Sequence, residues 1–125
     1  MKVCITAVSN TLDSQLDSRF GRSSWFIIID PETMNYEAIP NTALQSMHGA
    51  GIQAARIIAE KGVKTVISGN IGPNAHSVLS AEGINVIAGV SGTVKNVIER
   101  YNNGELKQSG SPTVKGHSGR GNRWR

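Results

Sequence analysis

Apolar residues recur along the chain in two patterns, short dense runs and longer stretches with helical spacing. The dense runs predict strands at Lys2–Val8, Trp25–Ile29, Asn35–Ile39, Val63–Ile67 and Ile84–Ala88. The helical spacing predicts helices at Gly49–Lys61, from Pro73 to just before Gly83, and at Thr93–Tyr101. Both faces of the first strand are largely apolar, which is typical of a central strand covered on both sides.

The connections between these runs predict how the strands pair. Turn residues at 30–33 join the second and third strands as a hairpin. Residues 60–69 and 82–89 both read as helix end, glycine, apolar strand and glycine. Repeated units of this kind give parallel strands joined by right-handed crossovers. We therefore expect an α/β, three-layer fold whose five-stranded mixed sheet has the order 3-2-1-4-5, with strand 2 antiparallel and helices on both faces.

The basic charge lies at the C-terminal end of the chain. The formal net charge is +4, and residues 109–125 supply it with Lys115, Arg120, Arg123, Arg125 and no acidic residue. Residues 1–108 hold nine basic and nine acidic residues and are neutral overall. We expect one α/β domain at 1–108 and a disordered, basic, Gly/Ser-rich tail at 109–125.

The predicted strand order places several glycine-rich segments at one edge of the sheet. Ligands bind in open α/β sheets where the winding reverses, here between the first and fourth strands. Bare backbone, helix N-termini and arginines at such an edge favour an anion. The candidate ligand-binding residues are Arg19, Gly21, Arg22, His48, Gly49, Gly51, Gly69, Asn70 and Gly72. The open alternative is that these glycines only permit tight turns.

Single residues with reactive or metal-binding side chains are few. His48 lies beside two glycines at a helix start and is the candidate metal ligand, although a lone histidine is more often structural. We expect Cys4 to be a core residue, His76 a surface residue, Phe20 an anchor of its loop, and Asp17 a solvated brace of that loop.

The sequence excludes several classes of function. Two-metal nucleases need carboxylates on the central strand, and Lys2–Val8 has none. No Ser/His/Asp set has the spacing of a known nucleophilic motif. We therefore expect a non-enzymatic binding or carrier protein for a small anionic ligand. The alternative is a protein–protein adaptor or regulatory module without a ligand.

Other partners and the location follow from the same composition. A single cysteine excludes an intramolecular disulfide and favours the cytoplasm. No apolar stretch has membrane-spanning length, so we expect no membrane partner. Nucleic acid would be contacted only nonspecifically, through Arg120, Arg123 and Trp124 of the tail.

Four segments resemble a known family over about residues 1–108. They are Leu16–Arg22 (LDSRFGR), His48–Ile52 (HGAGI), Val66–Gly72 (VISGNIG) and Ala81–Ile84 (AEGI). Together they are similar to the dinitrogenase iron–molybdenum cofactor biosynthesis family, in particular to its small stand-alone archaeal and bacterial members.

The resemblance implies a fold and a ligand class. It implies a ribonuclease-H-like fold, an iron–sulfur or iron–molybdenum-type cluster or precursor as the ligand, and cofactor-assembly proteins as partners. Cofactor-binding members commonly have a histidine directly before the Phe-Gly pair, where this chain has Arg19. An arginine cannot coordinate a metal, but it can pair with an anionic cluster.

Overall fold

A computed structural model of the chain describes residues 1–45 and 49–107. The predicted tail at 109–125 and the candidate metal ligand His48 therefore lie outside the described residues. The domain boundary at residue 108 stays a prediction for the same reason.

The described residues form strands and helices close to the predicted ones. The strands are β1 (Lys2–Ala7), β2 (Trp25–Ile29), β3 (Tyr36–Pro40), β4 (Val63–Ile67) and β5 (Asn85–Ile87). The helices are α1 (Ala50–Glu60), α2 (Pro73–Ala81) and α3 (Val94–Asn102). A short 3₁₀ helix at Thr42–Gln45 was not predicted, because four residues are too few to show a period.

The sheet has the order β3-β2-β1-β4-β5, which confirms the predicted topology. β2 is antiparallel to both β1 and β3, whereas β4 is parallel to β1 and β5. The central strand β1 pairs Ile5 with Ile27 of β2 and with Ile67 of β4. Strands β1, β3, β4 and β5 therefore all end at the edge of the sheet where β2 begins.

Alternating side chains of the strands build two cores, one on each face of the sheet. Cys4 of β1 belongs to the core that α1 and α2 cover with Ala54, Ile58 and Leu79. Ile5, the next residue, belongs to the core that α3 covers. Helices on both faces are thus confirmed, and the apolar pattern of β1 explains them because each face has its own partner.

The helices begin at the edge where β1, β4 and β5 end. Thr93 caps α3, because its hydroxyl oxygen accepts a hydrogen bond from the Asn96 amide at 3.1 Å. Gly49 and Gly72 precede α1 and α2 and offer no side-chain cap. This edge therefore carries one capped and two uncapped helix N-termini. No helix among the described residues has the length and hydropathy needed to cross a membrane.

Candidate anion-binding site

A cleft of about 300 Å³ lies at the edge of the sheet where α1 and α2 begin. Three segments line it: residues 20–22 of the loop after β1, residues 49–52 at the start of α1, and residues 72–75 at the start of α2. The topology brings these segments together because the loop after β1 crosses the ends of the strands that precede both helices.

The residues that precede α1 and α2 supply no side-chain cap to the first turns of these helices. Gly49 has a φ of 71°, a left-handed conformation that glycine adopts readily. Gly72 is extended and is followed by Pro73, which has no N–H to lose at the first helical position. Neither first turn contains an acidic residue. The cleft therefore faces uncompensated positive ends of helix dipoles.

The three segments approach each other on bare backbone. A Cβ atom on Gly21 would lie 2.9 Å from both the Cα and the N of Gly51, a distance that real Cβ atoms do not tolerate. A Cβ atom on Gly51 would lie 3.3 Å from the Cβ of Ala75. Gly21 and Gly51 therefore permit close packing between the loop, α1 and α2, which brings the two helix N-termini together.

The loop that carries Arg22 is fixed at both ends. Phe20 is 1 % exposed, and its ring centroid lies 5.9 Å from that of Phe26, so it anchors the loop as predicted. The amide nitrogen of Asn41 donates to the carbonyl oxygen of Gly21 at 3.1 Å. Arg22 is exposed, and its Nη1 donates to the carbonyl oxygen of Leu44 at 3.3 Å. Arg22 is one of the residues that line the cleft.

Arg19 lies beside the cleft, paired with an acid. Its backbone N–H and its Nε donate to Oδ1 of Asp17 at 3.0 and 3.4 Å. The Asp17 side chain is only 5 % exposed, whereas that of Arg19 is 64 % exposed. Asp17 braces the loop as predicted, but the expectation that it is solvated was wrong. Its backbone is held by Thr6, which removes the carboxylate from water.

Asn70 and Gly69 connect this loop to β4. The Asn70 N–H donates to the Ser18 carbonyl at 2.6 Å, and the Phe20 N–H donates to the Asn70 carbonyl at 3.1 Å. A Cβ atom on Gly69 would lie 2.8 Å from the Ser18 carbonyl oxygen. Gly69 is therefore required for the close approach of two backbones.

The structure thus divides the candidate residues into two groups. Gly21, Arg22, Gly49, Gly51 and Gly72 line the cleft. Arg19, Gly69 and Asn70 do not line it, and backbone contacts between residues 18–20 and 69–70 hold them together next to Phe20. His48 precedes Gly49 but lies outside the described residues, so its role as a metal ligand stays a prediction.

One polar residue of the cleft wall was missed. Asn74, the second residue of α2, is exposed and lines the cleft. The only sequence signal for it is its position after Gly72-Pro73, which marks a helix start but not the direction of that helix.

The remaining reactive side chains lie elsewhere. Cys4 is fully buried in the core as predicted, and burial raises the pKa of its thiol well above the ordinary range. His76 is half-buried instead of lying on the surface: its Nε2 is buried without a hydrogen-bond partner, and its Nδ1 is 3.4 Å from the Ser80 hydroxyl. Within residues 1–45 and 49–107, no three His, Cys, Asp or Glu side chains are grouped to hold a metal ion.

These features define a small α/β domain with a cleft at two helix N-termini that have no side-chain cap. The sequence model of the family described as dinitrogenase iron–molybdenum cofactor matches residues 1–104. The chain belongs to this family, which confirms the resemblance found in the sequence.

Individual relatives are similar over almost the whole chain. An uncharacterised protein of Methanocaldococcus jannaschii is 35% identical over 112 residues, which cover 86% of this chain and 95% of that protein. The apo form of the orange protein from Desulfovibrio gigas has a TM-score of 0.88 and 34% identity, covering 90% of this chain and 96% of that one. A Thermotoga protein named for NifB has a TM-score of 0.79 and 35% identity, covering 92% and 98%.

Proposed function

We propose that this protein binds a small anionic ligand in the cleft and carries it without catalysing a reaction. The observation that supports this most is the convergence of two uncapped helix N-termini, free of acidic residues in their first turns, on one cleft that Arg22 also lines. Backbone amides at a helix N-terminus, the helix dipole and a guanidinium group all favour negative charge.

The contrast with α3 supports a ligand at the other two helices. Thr93 supplies a side-chain cap to an amide of the first turn of α3. The glycines before α1 and α2 supply no such cap, which costs about a few tenths of a kcal/mol relative to serine or threonine. A bound anion would supply the missing acceptors. Gly21, Arg22, Gly49, Gly51 and Gly72 then form the contact set, with Arg19, Gly69 and Asn70 beside it.

The family suggests the class of ligand. An iron–sulfur or iron–molybdenum-type cluster, or a precursor of one, carries net negative charge on its outer atoms. The orange protein has been solved as an apo form, which by definition lacks a bound group, and another relative is named for NifB. We infer that the ligand here is an anionic cluster or precursor of this kind, and that cofactor-assembly proteins deliver or receive it.

The donor groups near the cleft favour recognition of the outer atoms of such a cluster. The Cys4 thiol is buried in the core, and its raised pKa disfavours the thiolate that binds metals. Amide and guanidinium N–H groups can donate hydrogen bonds to sulfide or oxide atoms. His48 remains the candidate for direct metal ligation.

Further parts of this proposal rest on the sequence and the family. We propose that the three-layer topology is ribonuclease-H-like. The absence of carboxylates on β1 supports a non-catalytic role, and the single cysteine supports a cytoplasmic location. An adaptor without a ligand is the competing function. It would use an apolar docking patch, whereas this cleft combines apolar residues with four glycines, Asn74 and Arg22.

A titration with simple anions tests the proposal. Molybdate and sulfate are added at constant ionic strength while the backbone amide signals are followed by NMR. We expect saturable shifts of residues 21–22, 49–52 and 72–75, and at least a tenfold weaker affinity in Arg22→Gln, because a charge-assisted hydrogen bond contributes about 1.5–3 kcal/mol. Arg56→Gln removes an exposed arginine of α1 that does not line the cleft and is the matched control. No saturable shift, or equal loss in both variants, would refute the proposal.

A further inference from the structure

Two residues with polar side chains line the cleft among the described residues, Arg22 from the loop after β1 and Asn74 from α2. The other lining residues are glycine, alanine, isoleucine, proline and phenylalanine, none of which has a polar side chain. A ligand in the cleft therefore meets one guanidinium group and one carboxamide in addition to backbone amides.

Asn74 occupies a position where another residue would stabilise the helix more. It is the second residue of α2, a helix with no side-chain cap and no acidic residue in its first turn. An aspartate at this position is favourable, because its carboxylate interacts with the positive end of the helix dipole. Asparagine has nearly the same shape as aspartate but lacks the charge.

We propose that Asn74 contacts the ligand and determines the charge selectivity of the cleft. Its side-chain NH₂ group donates a hydrogen bond to an acceptor atom of the anion, an oxygen of an oxyanion or a sulfide of a cluster. Its neutrality leaves the positive field of α1, α2 and Arg22 uncompensated. This inference rests on the proposed function and assigns a specificity-determining residue to the same cleft.

The proposal separates ligand binding from helix stability. In Asn74→Asp the carboxylate would stabilise the first turn of α2 and at the same time repel an anion in the cleft, because two like charges would share a partly desolvated site. A residue with a purely structural role at this position would not give opposite changes in stability and affinity.

The test compares sulfate binding by the full chain and by three variants, with NMR amide shifts at constant ionic strength and pH 7. We expect Asn74→Asp to raise the Kd at least tenfold without lowering the melting temperature. Asn74→Ala loses the hydrogen bond alone, so we expect a rise of about threefold. Asn96→Asp makes the same chemical change in the first turn of α3, which covers the opposite face of the sheet, and should leave the Kd unchanged.

The pH dependence supplies a second readout. An aspartate has an ordinary pKa of about 3.9, so lowering the pH from 7 towards 4 begins to protonate it and restores a neutral side chain. Sulfate keeps its charge over this range. We therefore expect the Kd ratio of Asn74→Asp to the unmodified chain to fall as the pH falls, whereas the ratio for Asn74→Ala stays constant.

The outcomes distinguish this inference from the proposed function. If Asn74→Asp binds sulfate as tightly as the unmodified chain while Arg22→Gln binds weakly, Asn74 has no selective role and the cleft still binds anions. If Asn74→Asp and Asn96→Asp lose affinity equally, the effect is one of net charge and the inference is wrong. If the unmodified chain binds neither sulfate nor molybdate, both proposals fail.

Discussion

Gly21 lies so close to Gly51 that a Cβ atom on Gly21 would be 2.9 Å from the Gly51 Cα. Gly51 in turn faces Ala75 of α2, whose Cβ would lie 3.3 Å from a Cβ at position 51. The separation of the two helix N-termini therefore depends on three small residues at two successive contacts, and the shape of the cleft is coupled to this packing.

Gly21→Ala is expected to destabilise the protein and to weaken anion binding. The new methyl group would meet backbone atoms, which move only with the whole first turn of α1, and overpacking of this kind costs about 1–3 kcal/mol. Urea unfolding gives the free energy of unfolding, and a sulfate titration gives the Kd.

Gly51→Ala is the matched comparison for Gly21→Ala. Its methyl group would meet the Ala75 side chain at 3.3 Å, a contact that a small shift relieves. Alanine also has a higher helix propensity than glycine, by about 1 kcal/mol. We expect a much smaller loss of stability than for Gly21→Ala, and a larger loss would contradict the described packing of Gly21.

Asp17→Asn is expected to destabilise the loop beside the cleft. The Asp17 carboxylate is almost fully buried and accepts hydrogen bonds from the backbone N–H and the Nε of Arg19. Asparagine keeps one acceptor oxygen but loses the charge that strengthens these bonds, a loss of about 1 kcal/mol. Chemical denaturation measures it, and the amide signals of Arg19 and Asn70 report the local change.

Asp13→Asn serves as the control for Asp17→Asn, because Asp13 is an exposed acid of the same loop. Surface substitutions of this kind change stability by less than about 0.5 kcal/mol. Equal effects of the two substitutions would show that the Asp17–Arg19 pair does not brace the loop.

The sheet topology could be predicted from the sequence because β1 is apolar on both faces. That pattern requires a central strand with a helix layer on each side, and the hairpin and the two helix–strand repeats leave little freedom for the order of the others. The edge where the loops meet follows directly, because the carboxyl ends of parallel strands lie at one edge.

The details of the cleft could not be predicted, because they depend on contacts between distant backbones. Gly21 and Gly69 permit close packing, whereas Gly49 permits a left-handed turn. The sequence shows glycine at all three positions and does not distinguish these two roles. Arg19 was grouped with Arg22, but the Asp17 carboxylate, two residues before Arg19, accepts hydrogen bonds from its N–H and its Nε. Asn74 lines the cleft because of the direction in which α2 runs. The apolar pattern of the sequence does not predict that direction.

The Cys4 thiol is expected to be unreactive in the folded protein. It is fully buried, and burial raises the pKa of the thiol. At a pH above the ordinary thiol pKa of about 8.5, the unfolded chain therefore holds a thiolate, whereas the folded chain still holds a neutral thiol. Labelling by a disulfide reagent at pH 8 should follow global unfolding in urea. Fast labelling of the native protein would contradict the described core.

The same thiol predicts a pH dependence of stability. A folded pKa above the unfolded value gives a contribution that is complete below about pH 8.5 and is lost as the pH rises further, with a slope that approaches about 1.4 kcal/mol per pH unit. We expect Cys4→Ala to lower this slope between pH 9 and 10, because the alanine variant lacks the ionising group. Parallel slopes in the two proteins would show that Cys4 ionises equally when folded.

Gly72→Ser is expected to stabilise α2 and to weaken anion binding. Gly72 is extended, with φ −73° and ψ 169°, a backbone conformation open to serine, and a serine hydroxyl before a helix accepts a hydrogen bond from an amide of the first turn. The substitution would add about a few tenths of a kcal/mol of stability. It would also occupy an amide group that we assign to the ligand, so the Kd for sulfate should rise severalfold.

Thr93→Ala is the reciprocal control, because it removes the cap of α3 and should lower the melting temperature while leaving the Kd unchanged. An unchanged or tighter Kd in Gly72→Ser, with the expected gain in stability, would mean that the α2 N-terminus does not contact the anion.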